Sequence, residues 1–235
     1  KGSPAKSINF QNRPFYYLSR YQDAYQYDIQ RRIIRITSRD PDRPTDTYSY
    51  YGNITFAYKD NQLIVTNRGV SDKDGNWLPT IFRLNERGYI VEGCTYDSDG
   101  YLLHRQEGTN ATMDQTIQNG NIVKKVYQDV SQRRIITYTY DLTKAGLPTV
   151  GSLGDPVSQW GRSSQNLLVK TIETTESLGN SGGQRDSEVE TNYSYGFDQA
   201  GLINQQTAYT IRTTHPDSDS PRVTSELKIT DLKFR

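Results

Sequence analysis

One short unit recurs along this 235-residue chain, and it constrains the fold more than any other feature. An aromatic or apolar lead-in runs into polar residues, then glycine, then apolar residues and a return to polar ones. Clear copies are "FRLNERGYIVEGC" (82–94), "TYDSDGYLLHRQE" (95–107), "TIQNGNIVKKVYQ" (116–128) and "YGFDQAGLINQQT" (195–207). Looser copies are "SDKDGNWLPTI" (71–81) and "TYDLTKAGLPTVG" (139–151). "FAYKDNQLIVTN" (56–67) fits if Asn61 stands for the glycine. Asp-Gly and Asn-Gly pairs let the backbone take positive φ, which matches the twist of a β-hairpin. Asn is the usual substitute for glycine in that conformation. In "CTYDSDGYLLHRQ" (94–106) the turn is read at Asp99-Gly100, with Tyr96 and the Leu102/Leu103 pair as strand flanks. Gly75, Gly88 and Gly100 are closely spaced while other copies lie far apart, so the repeat is degenerate.

The flanks alternate with a period of two. Val189, Thr191, Tyr193, Tyr195 and Phe197 fall on one side, and Glu188, Glu190, Asn192, Ser194 and Asp198 on the other. Ile136, Tyr138 and Tyr140 repeat the pattern, as do Val223, Leu227 and Ile229. Such alternation reads as antiparallel sheet with one face packed and one wet. The last third predicts four long strands, at 165–177, 186–198, 201–213 and 222–234. No stretch predicts a convincing amphipathic helix, and the tyrosine-rich "FYYLSRYQDAYQYDIQRR" (15–32) reads as strand. The segment 144–166 resists assignment, and long structureless loops are often functional. No linker stands out, so the expectation is one all-β domain over 1–235, with 1–12 a polar tether. A meander of about a dozen strands should curl into an open or partly closed barrel. Its concave face would be polar and lined with tyrosine.

Composition narrows the function classes. A net charge of +1 gives no footprint for nucleic acid or an anionic membrane surface. A hydrophobic content of 33% and a mean hydropathy of −0.81 are low, but 18 tyrosines suit a half-wet sheet over a thin core. The lone Cys94 allows no intrachain disulfide and reads as a small packing residue. No run of 18 apolar residues is present.

The turn-and-strand unit resembles the YD repeat of Rhs-type proteins, above all in "TYDSDGYLLHRQ" and "YGFDQAGLINQQT". The order of pieces along the chain resembles a family of uncharacterised lipoproteins from Bacteroidetes, a domain of unknown function described as porin-like. The pieces are "RRIIRITS" followed by "TYSYYGNITFAYKDNQLIVT", then "FRLNERGYIVEGCTYDSDGYLL", then "WGRSSQNLLVKTIETTE" leading into "YSYGFDQAGLINQQT". They span most of residues 31 to 213. The resemblance implies export and a lipid anchor on an N-terminal cysteine, which this sequence does not contain. It implies a periplasmic or outer-membrane location, with membrane contact only through that anchor. The family carries no established catalytic residues.

Candidate chemistry is sparse. "DKDGN" (72–76) and "DSDG" (97–100) resemble the start of a calcium loop, but the twelfth positions are Arg83 and Gly108 where a Glu is needed. Turn geometry explains these residues better, and no metal or cofactor is expected. Glu173 with Glu176, or Glu188 with Glu190, could serve glycoside chemistry if a pair faced each other with one pKa raised. A charged outer face that keeps the sheet soluble explains them more simply. His104 and His215 have no partners at triad or metal-ligand spacing. Sequons at 53–55, 110–112 and 192–194 matter only in a eukaryotic secreted protein. Exposed aromatics can stack on sugars or anchor a partner, which makes Trp160 and Trp77 the candidate ligand-binding residues.

The chain is therefore expected to be a non-enzymatic envelope protein that binds a ligand or partner, a glycan or another envelope component. The alternatives are a hydrolase using paired carboxylates on the concave face, and a passive shell built of structural repeats.

Overall fold

The computed structural model describes residues 7–10, 13–16, 22–30, 32–39, 54–66, 78–146, 160–178, 185–216, 218 and 220–232. Every regular element among them is a strand, and every strand pair is antiparallel. The chain falls into two compact units. One comprises Lys1–Val91 with Val150–Trp160, the other Glu92–Thr149 with Gly161–Arg235.

The first unit holds a hairpin of β1 (Ser7–Phe10) and β2 (Arg13–Tyr16), so the second half of the stretch read as tether includes a strand. Its main sheet runs β3 (Gln22–Tyr27), β4 (Ile33–Arg39), β5 (Ile54–Lys59), β6 (Gln62–Thr66), β7 (Thr80–Arg83). Alternation selects the packed face: Leu63 and Val65 are buried while Gln62, Ile64 and Thr66 are less so. Register places Leu63 opposite Tyr58 and Phe82, and Val65 opposite Phe56. Ile36, Ile54 and Ile90 complete this core. Burying each such side chain stabilises by about 1.5–3 kcal/mol.

The second unit is one nine-stranded sheet in simple sequence order. It comprises β8 (Cys94–Tyr96), β9 (Leu102–Glu107), β10 (Ala111–Gln118), β11 (Asn121–Gln128), β12 (Gln132–Ala145), β13 (Asn166–Ser177), β14 (Arg185–Phe197), β15 (Ile203–Thr214) and β16 (Arg222–Asp231). The four strands expected in the last third are β13 to β16. Neither sheet closes on itself among the described residues, as expected for an open meander.

The turns obey a rule that goes beyond the reading at Asp99-Gly100. The organising residue is Asp97, three positions before the glycine. Its Oδ1 accepts hydrogen bonds from the backbone N–H groups of Asp99 and Tyr101, at 3.0 and 2.9 Å. Its own N–H donates to the Tyr101 carbonyl, and Gly100 N–H returns to the Asp97 carbonyl. Asn85 and Asp198 repeat the arrangement with Gly88 and Gly201. The motif is thus Asx-x-x-Gly followed by Tyr or Leu. The Asx side chain caps the turn, and the glycine takes the left-handed residue that follows a type I turn. Asp28 caps Gln30 and Arg32 in the same way. A second class is the two-residue turn with positive φ at both positions, seen at Asp60-Asn61 and Asn119-Gly120. The copy at 139–151 makes neither turn at Gly146, because β12 continues through Ala145 and Gly146 N–H donates to the Gln165 carbonyl. The glycine of the copy at 71–81 lies outside the described residues.

Asp129 caps its turn with three donors, Ser131 N–H, Ser131 Oγ–H and Gln132 N–H, which hold its carboxyl below the usual range. A depressed folded pKa contributes stability above the unfolded value near 4, and loses it as pH falls through the folded value. Asp129→Asn keeps the acceptor and removes the charge. The urea midpoint at neutral pH is therefore expected to fall slightly, while its further fall on acidification becomes shallower. Equilibrium denaturation across a pH series checks both.

The segment 161–166 fastens one end of the nine-stranded sheet. Gly161 has φ +102°, and a Cβ there would sit 2.8 Å from the Gly100 carbonyl oxygen. Only glycine meets both demands. Arg162 N–H donates to that same carbonyl, and its guanidinium lies 5.4 Å from the Tyr101 ring centre. Gln165 N–H and the Tyr101 hydroxyl both donate to the Gly120 carbonyl. Asn121 and Asn166 bond reciprocally, and Tyr140 bridges Ser164 and the Ile122 carbonyl.

Candidate functional site

Cross-strand register sorts the side chains of the nine-stranded sheet into two faces, since directly opposed residues project to the same side. One face carries the row Arg105, Met113, Tyr127, Arg134, Thr175, Ser187. The next row is Gln115, Lys125, Ile136, Glu173, Val189, Arg212, and the third is Tyr138, Thr171, Thr191, Thr210. Tyr193 follows, opposite Ala208. The opposite face carries Glu188, Glu190, Ile172 and Ile211, with Lys170 bonded to Glu190 at 2.9 Å.

The first face gathers aromatic rings and charges at its centre. The Arg134 guanidinium lies 4.3 Å from the Tyr127 ring centre, and Lys125 Nζ lies 5.9 Å from that of Tyr138. Arg134 also reaches Glu173 at 3.9 Å. Burial pushes the Tyr138 phenol far up, reinforced by Tyr127, Tyr140, Tyr193 and Glu173. Gln115 Oε1 is buried in the neighbouring row and accepts no hydrogen bond among the described residues. The cluster therefore offers ring faces, both signs of charge and an acceptor within one patch.

The tyrosines make a prediction at high pH. Burial raises the phenols of Tyr138, Tyr140 and Tyr195. A raised folded pKa contributes stability below the unfolded value near 10, and loses it as pH rises through the folded value. Ultraviolet titration is expected to show a delayed fraction of phenols that ionises with unfolding. Tyr138→Phe should shrink that fraction and soften the alkaline loss of stability.

The residues singled out in the sequence fare differently. Trp160 is half-buried, and its ring meets Phe82 edge-on at 6.1 Å, in the first unit. Trp77 and Asp72 lie outside the described residues, as do residues 147–159 of the unassigned segment. Glu173 and Glu176 project to opposite sides of β13, three residues apart on an extended strand. Glu173, Glu176, Glu188 and Glu190 each lie beside an arginine or lysine. His104 Nδ1 is 2.8 Å from Asp114 Oδ1, its cross-strand partner. Cys94 stands opposite Arg105, on the other side of β8 from His104's partner Thr95, and burial raises its thiol pKa. In the first unit an open recess of about 320 Å³ is lined by Arg32, Tyr58, Asn61, Asn85 and Glu86. Arg32 there is held by Asp28 at 2.7 Å and stacks on Tyr58 at 4.1 Å.

Sequence reasoning anticipated a tyrosine-lined face and weighed Glu173 as one of a carboxylate pair, but did not pick out Tyr127, Arg134 or Lys125. The signal was the period-two spacing in "KKVYQ" and "RRIITYTY", readable only once the two strands are set in register.

No protein-family model matches the chain, and no curated protein does. Among solved structures it is similar to a porin-like protein from Bacteroides uniformis ATCC 8492. The likeness has a TM-score of 0.55 at 14% sequence identity and covers 97% of this chain and 95% of the other. At that identity the likeness is one of fold, and it agrees with the porin-like β architecture implied by the sequence resemblance.

Proposed function

We propose that this chain is a non-enzymatic binding protein of a bacterial cell envelope, and that the Tyr127–Tyr138–Tyr193 face of its nine-stranded sheet takes a glycan. One observation carries the reading: rings, Lys125, Arg134, Glu173 and the buried acceptor of Gln115 share one patch. Sugars are recognised by ring faces stacking on their C–H surfaces and by charged groups bonding their hydroxyls, which are the chemistries present there. The envelope assignment draws support from the porin-like fold likeness and from the lipoprotein resemblance. Export and a lipid anchor belong to the same proposal.

A glycan array probed with the chain tests the binding role. Saturable binding to a defined set of oligosaccharides is expected. An array without hits removes the glycan from the proposal. Membrane fractionation of the full-length protein in its own cells tests the location, and recovery from the cytosol would overturn it.

A further inference from the structure

The last strand, β16, pairs with β15 along its whole length without a register shift, and among the described residues no strand lines its other side. Strand edges of this length are usually blunted by proline, bulges or brevity. "RVTSELKITD" has no proline. The backbone says which groups face outward. Leu232 N–H donates to the Asn204 carbonyl, so even-numbered residues turn their N–H and C=O toward β15. Val223, Ser225, Leu227, Ile229 and Asp231 therefore turn theirs away from the sheet.

We propose that β16 pairs antiparallel with β16 of a second copy of this chain, with Leu227 on the two-fold axis. In that register Leu227 faces Leu227, Ser225 faces Ile229 and Val223 faces Asp231, all outward-facing residues, so every cross-pair can exchange hydrogen bonds. The side chains agree. Glu226 falls opposite Lys228, and symmetry makes the pair twice; Thr224 falls opposite Thr230. The two adjacent registers that also satisfy the backbone place Glu226 against Glu226, or Lys228 against Lys228. Like charges directly opposite are destabilising, so charge selects the Leu227-centred register. Both residues are exposed, and their cross-strand partners within the sheet, Thr210 and Ala208, are uncharged. The contact is isologous and closes as a dimer, because each copy uses its one β16 edge.

Sedimentation equilibrium of the full chain at about 100 µM tests this, a range that detects micromolar association. A dimer is expected. Glu226→Lys sets two lysines against two lysines and should weaken dimerisation at least tenfold; Lys228→Glu should do the same. The double variant Glu226→Lys/Lys228→Glu restores opposite charges and should restore the dimer, which also shows that the substitutions leave the fold intact. A monomeric parent chain overturns the proposal, as does a dimer indifferent to the single changes. Failure of the double variant to recover overturns the register.

Discussion

Tyr101→Ala is expected to destabilise the nine-stranded unit by about 4 kcal/mol, as large-to-small changes of buried aromatics do. Tyr101 is 2% exposed, sits just after the Asp97 turn, and reaches across to a second turn through its hydroxyl bond to the Gly120 carbonyl. Its ring also lies under Arg162. Truncation would empty the space beneath the 161–166 segment and leave Arg162 without its ring. For a unit of this size the thermal midpoint should fall by roughly 10 °C. Tyr101→Phe separates the parts. It removes one hydrogen bond, but Gly120's carbonyl still accepts from Gln165 N–H, so the cost should be about 1 kcal/mol. Calorimetry of both variants decides. Equal losses in the two would mean that the hydroxyl, and not packing under the segment, holds this end together.

Tyr193→Ala is expected to lower affinity for the proposed glycan about tenfold, near 1.4 kcal/mol, the range for truncating an aromatic anchor at a binding surface. Tyr193 lies at the end of the aromatic face, beyond the Tyr138 row and opposite the small side chain of Ala208. It is only half-buried, so its loss should cost the fold little beside the loss of Tyr101. Glu173→Gln supplies the complementary arm. It keeps the shape of the side chain, removes the charge that faces Arg134, and should change affinity without changing which oligosaccharides bind. Titration calorimetry with the oligosaccharide found on the array measures both. An unchanged affinity in both variants would move the site elsewhere on the chain.

Much of the fold was legible because it is local. Period-two alternation over "EVETNYSYGF" and its neighbours requires strands, and Asp or Asn with glycine marks the turns between them. The expected last four strands lie within a few residues of β13 to β16. The turn lies where it was read, with Gly100 at φ +92°, but its capping residue was not distinguished, because Asp97 and Asp99 are the same residue type. Only the backbone bonds from Asp99 and Tyr101 to Asp97 tell them apart. The fastening segment 161–166 was not legible at all. Its role rests on bonds to Gly100, Gly120, Asn121 and Ile122, some 40 to 60 residues away, and mostly on backbone atoms that leave no mark in residue type. The division into two units falls at Val91 and Glu92, inside a copy of the repeat, where composition does not change. The aromatic face was half legible. Alternation predicted a tyrosine-rich side, but its members come from β11, β12, β13 and β14, and register had to bring them together.

Nuclear magnetic resonance of the tyrosine rings, followed as the chain is saturated with an oligosaccharide from the array, decides whether this face is the site. Binding at this face concentrates the shifts on Tyr127, Tyr138 and Tyr193 and leaves Tyr58 in the first unit and the buried Tyr101 unmoved. Shifts centred on Tyr58, or rings of the aromatic face that stay silent at saturation, would contradict it.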